Sequence, residues 1–211
     1  RRVIAPSAAR VSRPADKSVT PPQRVGVLFV ALSKRFSEKY YLCFFSEKFF
    51  PIEKKMAFQG GKGYGKRYIL PVLNHPRYDG WEYGEFFFGM GHIGSGVTNK
   101  SLYHFSDLSP RLISLHRAVQ QGESLPKNIS KAEYNRLKEQ DGNDVQSAAA
   151  AYLYTWQGKE WGGYVDKRDG RQYAKARMRH LYKISKREAY QNAVFECCSI
   201  LDPASQLEPY D

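Results

Sequence analysis

The chain has 211 residues, 42% of them hydrophobic and 14% aromatic, which is enough for a globular core and argues against wholesale disorder. Its net charge is +12. No apolar run approaches the roughly 20 residues a bilayer span needs, and the longest, 25–32, lies behind a proline-bearing leader with no small-residue cleavage site. The charge is unevenly spread: +8 over residues 1–55, +2 over 56–165, +7 over 166–187 and −5 over 188–211. A balanced centre flanked by basic segments points either to a polyanion partner, with nucleic acid foremost, or to solvated surface charge. Three cysteines, Cys43, Cys197 and Cys198, make no disulfide framework and fit a reducing compartment; no Cys/His spacing suits zinc.

Residues 1–24 read as a tail, broken by Pro6, Pro14, Pro21 and Pro22. Residues 25–32 read as a buried strand and 40–50 as an aromatic-rich strand or short helix. The first methionine is Met56, so 1–55 is read as an extension, partly disordered, that is either foreign to the domain or a native addition. Residues 67–73 have helical spacing, with Pro71 expected in the first turn or at the end. Strands are expected at 81–88 and 101–105. A helix is predicted from Pro110, at its first position, to Gln121, with Leu112, Leu115, His116 and Val119 on one face and Gly122 as its stop. Residues 130–140 open like a capping box, Ser130 with Glu133. Helix is expected again at 145–156 and 171–192, strand at 194–201, and an acidic tail follows.

Two segments carry chemistry. Glycines after a strand, as at Gly89 and Gly91, let a ligand approach the backbone, and an acidic residue ending the next strand, Asp107, can accept both ribose hydroxyls. A glycine hairpin with an unrelated Asp is the plainer alternative. Phe58-Gln59-Gly60-Gly61-Lys62 can wrap backbone around a small ligand beside an ammonium, or is an ordinary turn. The phosphate-binding G-x-G-x-x-G is matched by Gly89, Gly91 and Gly94 outside its proper βα turn, and no Walker A motif is present. The five histidines are spread without metal spacing.

In this order, the segments resemble the Dam-type DNA adenine methyltransferases. That family's W/F-x-G-G-K motif is matched by Phe58 to Lys62. Its E-P-F-x-G-x-G loop is matched by Glu85 to Gly91, with Phe86 for proline. Its acidic residue before a D-L-I-S-L-type helix is matched by Asp107 and Leu112 to Leu115, and an aromatic-Asn-Gly segment loosely by Trp161-Gly162-Gly163. The resemblance covers about 56–201. It implies an α/β, Rossmann-like S-adenosylmethionine-dependent methyltransferase sheet, incomplete at the C-terminus, with an inserted helical DNA-recognition subdomain. The implied parts are cofactor-binding 56–122, recognition 123–192, and a return strand at 193–211. S-adenosylmethionine would be held by Phe58, Gly60, Gly61, Lys62, Glu85, Phe87, Gly89, Gly91 and Asp107. Glu85 would act on the methionine end and Asp107 on the ribose. Double-stranded DNA would meet Lys167, Arg168, Arg171, Lys175, Arg177 and Arg179, in a stretch with nine basic and two acidic residues. The implied setting is a cytoplasmic monomer, bacterial or phage-encoded, transferring methyl to the exocyclic amine of adenine, without a metal.

The family's D-P-P-Y catalytic motif is missing; Asp202-Pro203-Ala204-Ser205 and Glu208-Pro209-Tyr210-Asp211 fail to match it. No catalytic residue is therefore assigned. The chain reads as a catalytically incomplete N-terminal fragment of such an enzyme, or as a non-catalytic nucleic-acid-binding protein on a degenerate methyltransferase fold.

Overall fold

The computed structural model describes the backbone of residues 26–35 and 38–46, and residues 62–63, 65–168 and 171–199, the side chains of 168 and 171 excepted. A five-stranded mixed sheet is its frame. Strand β1 (Gly26–Arg35) pairs antiparallel with β2 (Glu38–Ser46) on one side and with β3 (Glu82–Glu85) on the other. Next come β4 (Leu102–Asp107) and the last strand in the chain, β7 (Ala193–Cys197), both parallel to β3. The sheet order is β2-β1-β3-β4-β7. Register places Glu85 beside Phe105 and Asp107 beside Cys197, so these residues share the carboxyl edge of the three parallel strands.

Alternation along the strands decides which face is packed. Tyr83, Tyr103, Phe105, Ala193 and Phe195 are buried on one face, while Gly84, His104 and Val194 on the other are half-buried. The packed face meets α2 (Pro110–Gln120), which contacts both β4 and β7. Ser109 caps that helix by accepting from the Leu112 N–H, Pro110 sits at N1, and the expected face of Leu112, Leu115, His116 and Val119 is buried. Gly122 follows with φ +79°, which only glycine adopts freely.

Helix α3 (Lys131–Gln140) begins at Ser130, whose hydroxyl accepts from the Glu133 N–H. The other half of the expected box is not formed. The Glu133 carboxylate instead accepts from Arg136 and Gln146, because two strong donors on neighbouring turns outcompete one backbone N–H. Asp144 caps α4 (Val145–Leu153), an alanine-rich helix buried along most of its length against α2 and α3. The region expected to be helical throughout 171–192 is divided. A short hairpin of β5 (Lys167–Arg168) and β6 (Arg171–Gln172) leads into α5 (Tyr173–Ile184), and α6 (Glu188–Gln191) follows. Pro71 lies inside α1 (Lys66–Leu73), two residues from its end, rather than at either terminus. Residues from the strands and from α2 to α6 form one continuous buried cluster, so the region 123–192 packs on the same core as the sheet. Among the described residues no helix is long and apolar enough to cross a membrane, and no group of three or more His, Cys, Asp or Glu could hold a metal.

Candidate functional site

The carboxyl edge of the parallel strands is built around the loop that follows β3. Phe88 drives into the core and stacks on Phe105, with ring centroids 4.2 Å apart. This anchors the loop and lets the next residues turn. Gly89 and Gly91 have φ of +56° and +68°, the left-handed region where a side chain costs strain. A Cβ on Gly91 would come within 2.6 Å of the Phe88 ring, so the turn needs glycine for space as well.

Asp107 ends β4 directly opposite this turn. Its Oδ2 accepts from the Gly89 N–H at 3.0 Å and its Oδ1 from the Ser109 N–H at 3.2 Å. Each carboxylate oxygen has a second lone pair, so the group is held in place with acceptor capacity left over. Leu108 beside it is 68% exposed and Phe87, on the glycine loop, 38% exposed. The arrangement can take two hydroxyl donors on the carboxylate and present apolar surface next to them.

Glu85 is buried beneath the loop, 1% exposed. Its Oε1 accepts from Lys62 Nζ at 3.1 Å, and its Oε2 from the Gly94 N–H at 2.8 Å and the Tyr83 hydroxyl at 3.3 Å. Burial pushes its pKa above the usual carboxylate value, while the Lys62 ammonium and these hydrogen bonds pull it back. Glu85 therefore ties the start of the loop to its end. Gly94 is needed there, since a Cβ would sit 2.7 Å from Glu85 Oε2. Lys62 also donates to the Phe87 carbonyl, so its cation lies at the end of β3.

The residues the sequence proposed for one site are partly brought together: Lys62, Glu85, Phe87, Gly89, Gly91 and Asp107 form one cluster. Phe58, Gly60 and Gly61 lie outside the described residues, as do the side chains of Arg168 and Arg171. Lys167, Lys175 and Arg179 are exposed. Arg177 corrects the expectation of DNA contact. It is 0% exposed, and its Nη1 donates to the carbonyls of Tyr152, Leu153 and Thr155 at 2.7–3.2 Å. It closes the carboxyl end of α4, where unsatisfied carbonyls favour a cation. Burial lowers its pKa to about 10, still charged at neutral pH.

Two groups escaped the sequence reading. His116, on the buried face of α2, bridges Gly89 O at 2.7 Å and the Tyr190 hydroxyl at 2.8 Å. The carbonyl can only accept, so Nε2 carries the proton and Nδ1 accepts from Tyr190. Burial pushes its pKa down to about 4. Its position on the helix face was legible; its polar partners, 27 and 74 residues away, were not.

The second group lies around the N-terminus of α2. Glu160 accepts from Arg111 at 2.6 Å, Tyr152 at 2.6 Å and Ser109 at 3.1 Å. These bonds, led by Tyr152, outweigh burial and hold its carboxyl below the usual range. The Arg111 guanidinium also lies over Trp161, 5.6 Å from the ring centre. The Trp161-Gly162-Gly163 segment is thus fastened two residues from Asp107, through Ser109.

Three parallel strands flanked by helices, with a glycine turn and an acidic residue at their carboxyl edge, define a small α/β, Rossmann-like arrangement. It is an architecture compatible with a nucleotide-binding enzyme. No protein-family model matches the chain, and no curated protein sequence matches it.

Proposed function

We propose that this chain is the cofactor- and DNA-binding part of a Dam-type DNA adenine methyltransferase. The observation that carries the reading is the Asp107 carboxylate at the end of β4, braced by the N–H of a left-handed glycine on the preceding strand's loop. That pairing suits a ribose diol: spare lone pairs for two hydroxyls, and backbone free of Cβ atoms close by. The residues present fit S-adenosylmethionine. Leu108 offers an apolar surface for a base next to the diol acceptor, and Lys62 places a cation at the end of β3 for a carboxylate. Bound there, the cofactor supplies an electrophilic methyl group on a sulfonium. This chain's share is to orient it: Asp107 fixes the ribose, and Glu85 keeps Lys62 and Gly94 in place beneath the loop.

DNA is the partner that the basic face supports. Lys175, Arg179, Lys183 and Lys186 are exposed on α5 and just beyond it, at spacings of four, four and three, which aligns them in one stripe. Such a stripe suits successive phosphates, and Lys167 on the hairpin adds to it. The alternative, a nucleic-acid-binding protein without chemistry, is favoured by one observation: no D-P-P-Y stands among the 211 residues.

Calorimetry with S-adenosylmethionine on the full chain and on Asp107→Ala tests the cofactor assignment. The substitution is expected to weaken binding by about 1–3 kcal/mol, the scale for hydrogen bonds to a charged acceptor. Equal affinities, or no binding by the wild type, remove Asp107 and the cofactor from the reading.

A further inference from the structure

The junction of α1, the loop 90–96 and the last turn of α5 gathers cationic and titratable nitrogen groups without a matching carboxylate. His180 on α5 bonds through Nε2 to the Met90 carbonyl at 2.9 Å, and its ring lies 4.4 Å from that of His92. His92 in turn lies against Gly63, whose Cβ position is 3.5 Å from His92 Nδ1. Arg187, just past α5, donates to the Ser95 carbonyl at 3.2 Å and reaches the space above Gly96, where Leu70 of α1 also packs. Lys66 opens α1, which has neither a side-chain cap nor an acidic residue in its first turn. Lys183 stands in the last turn of α5.

These groups act on one another. Lys66 has its pKa lowered by burial and then by Arg187 and Lys183. His180 is lowered by burial, with Arg187, Lys66 and Lys183 adding to it against the bond to Met90. His92 is lowered to about 3, by burial first and then by His180, Lys62 and Lys66. Among the described residues, no carboxylate forms an ion pair with Lys66, His92, His180, Lys183 or Arg187. The one acidic group buried nearby, Glu85, is already satisfied by Lys62, Gly94 and Tyr83. Like charges gathered this way repel one another, and a bound anion relieves that cost.

We infer that this junction is a phosphate-binding notch, in which Lys66, Lys183 and Arg187 hold the oxyanion and the His92–His180 pair forms its floor. Arginine and lysine side chains around a helix start suit a tetrahedral dianion or a phosphodiester. The notch continues the Lys175–Arg179–Lys183 stripe past the end of α5 and onto α1. A backbone phosphate of a duplex lying along α5 is therefore the source of the phosphate group. The inference stands on these residues alone and does not depend on cofactor binding or methyl transfer.

The full chain, labelled for detection of histidine ring signals by NMR, is titrated with inorganic phosphate and, separately, with chloride at equal ionic strength. Phosphate is expected to shift the His92 and His180 signals saturably, and chloride is not. The double substitution K66Q/K183Q, which removes charge but little length, is expected to weaken phosphate binding at least about 5-fold; K138Q, the same change on the exposed face of α3, is expected to leave it unaltered. In a second arm, binding of a short duplex is followed by fluorescence anisotropy over a range of salt. K66Q/K183Q is expected to reduce the slope of log K against log salt by about 2, near 0.9 per lost phosphate contact. Equal responses to phosphate and chloride, or equal weakening by K138Q, overturn the notch. Saturable phosphate binding with an unchanged duplex slope overturns the duplex as its source and assigns the notch to a free phosphate-bearing ligand. S-adenosylmethionine affinity, measured on the same variants, is expected to stay the same, which separates this test from that of the cofactor site.

Discussion

Arg177 and Arg179 stand two residues apart on α5 and have opposite surroundings. Helical geometry turns side chains two apart to nearly opposite faces, so one side chain reaches into the core and the other into water. Arg177→Met keeps much of the volume but leaves three carbonyls at the end of α4 without their donor. The cost is expected to be about 3 kcal/mol or more, since each buried unsatisfied group costs about 1–3 kcal/mol. Arg179→Ala should change stability by less than about 0.5 kcal/mol, as exposed substitutions do, while lowering the salt slope of duplex binding by about one. Urea unfolding and anisotropy on both variants check this. A stable Arg177→Met protein would remove the capping role. The sequence could not separate the two arginines by composition, because a run of nine basic residues reads as one surface. Only the apolar spacing of Ala174, Met178 and Leu181 marks the face that Arg177 shares.

The elements themselves were largely legible where local signals agree. Ser109-Pro110 and an apolar face give α2, Ser130 gives the start of α3, and glycines mark the end of β3. What was not legible depends on partners far along the chain. The hairpin before α5 is held by only two residues per strand, too short for any periodicity. The polar groups that lock the candidate site, Glu160 to Ser109 and His116 to Gly89 and Tyr190, join residues brought together only by the fold. His116 also makes the assembly of α2, the glycine loop and α6 sensitive to acid. The folded protein keeps it neutral down to about pH 4, whereas an unfolded histidine binds a proton near 6.5. Unfolding therefore takes up a proton between these values, and stability falls as pH drops through them. The slope is expected to reach up to about 1.4 kcal/mol per pH unit for this group, and His92 acts in the same direction. His116→Gln should flatten the dependence of the urea midpoint between pH 6.5 and 4.5. A variant that keeps the wild-type slope would place the titrating group elsewhere.

At the scale of the whole molecule, the parallel strands, the glycine loop and the basic helix supply places to hold a nucleoside and a phosphate chain. None of them supplies a group for drawing the proton from an exocyclic amine or for polarising it. Asp107 is engaged by the Gly89 and Ser109 amides, Glu85 is buried against Lys62, and Glu160 is saturated by Arg111, Tyr152 and Ser109. The family resemblance assigns the amine chemistry to D-P-P-Y, and these 211 residues contain no such motif. Binding and turnover are therefore expected to separate: the chain should bind S-adenosylmethionine and duplex DNA yet transfer no methyl group. Incubation of the full chain with adenine-containing duplex and methyl-labelled cofactor, with label in the DNA as the readout, checks this. A target base must also leave the stack to be reached, so a single-stranded or mismatched adenine, which costs less to extrude, makes the more sensitive substrate. Label incorporated above the blank, and lost in Asp107→Ala, would show that the chemistry resides in residues other than the missing tetrapeptide.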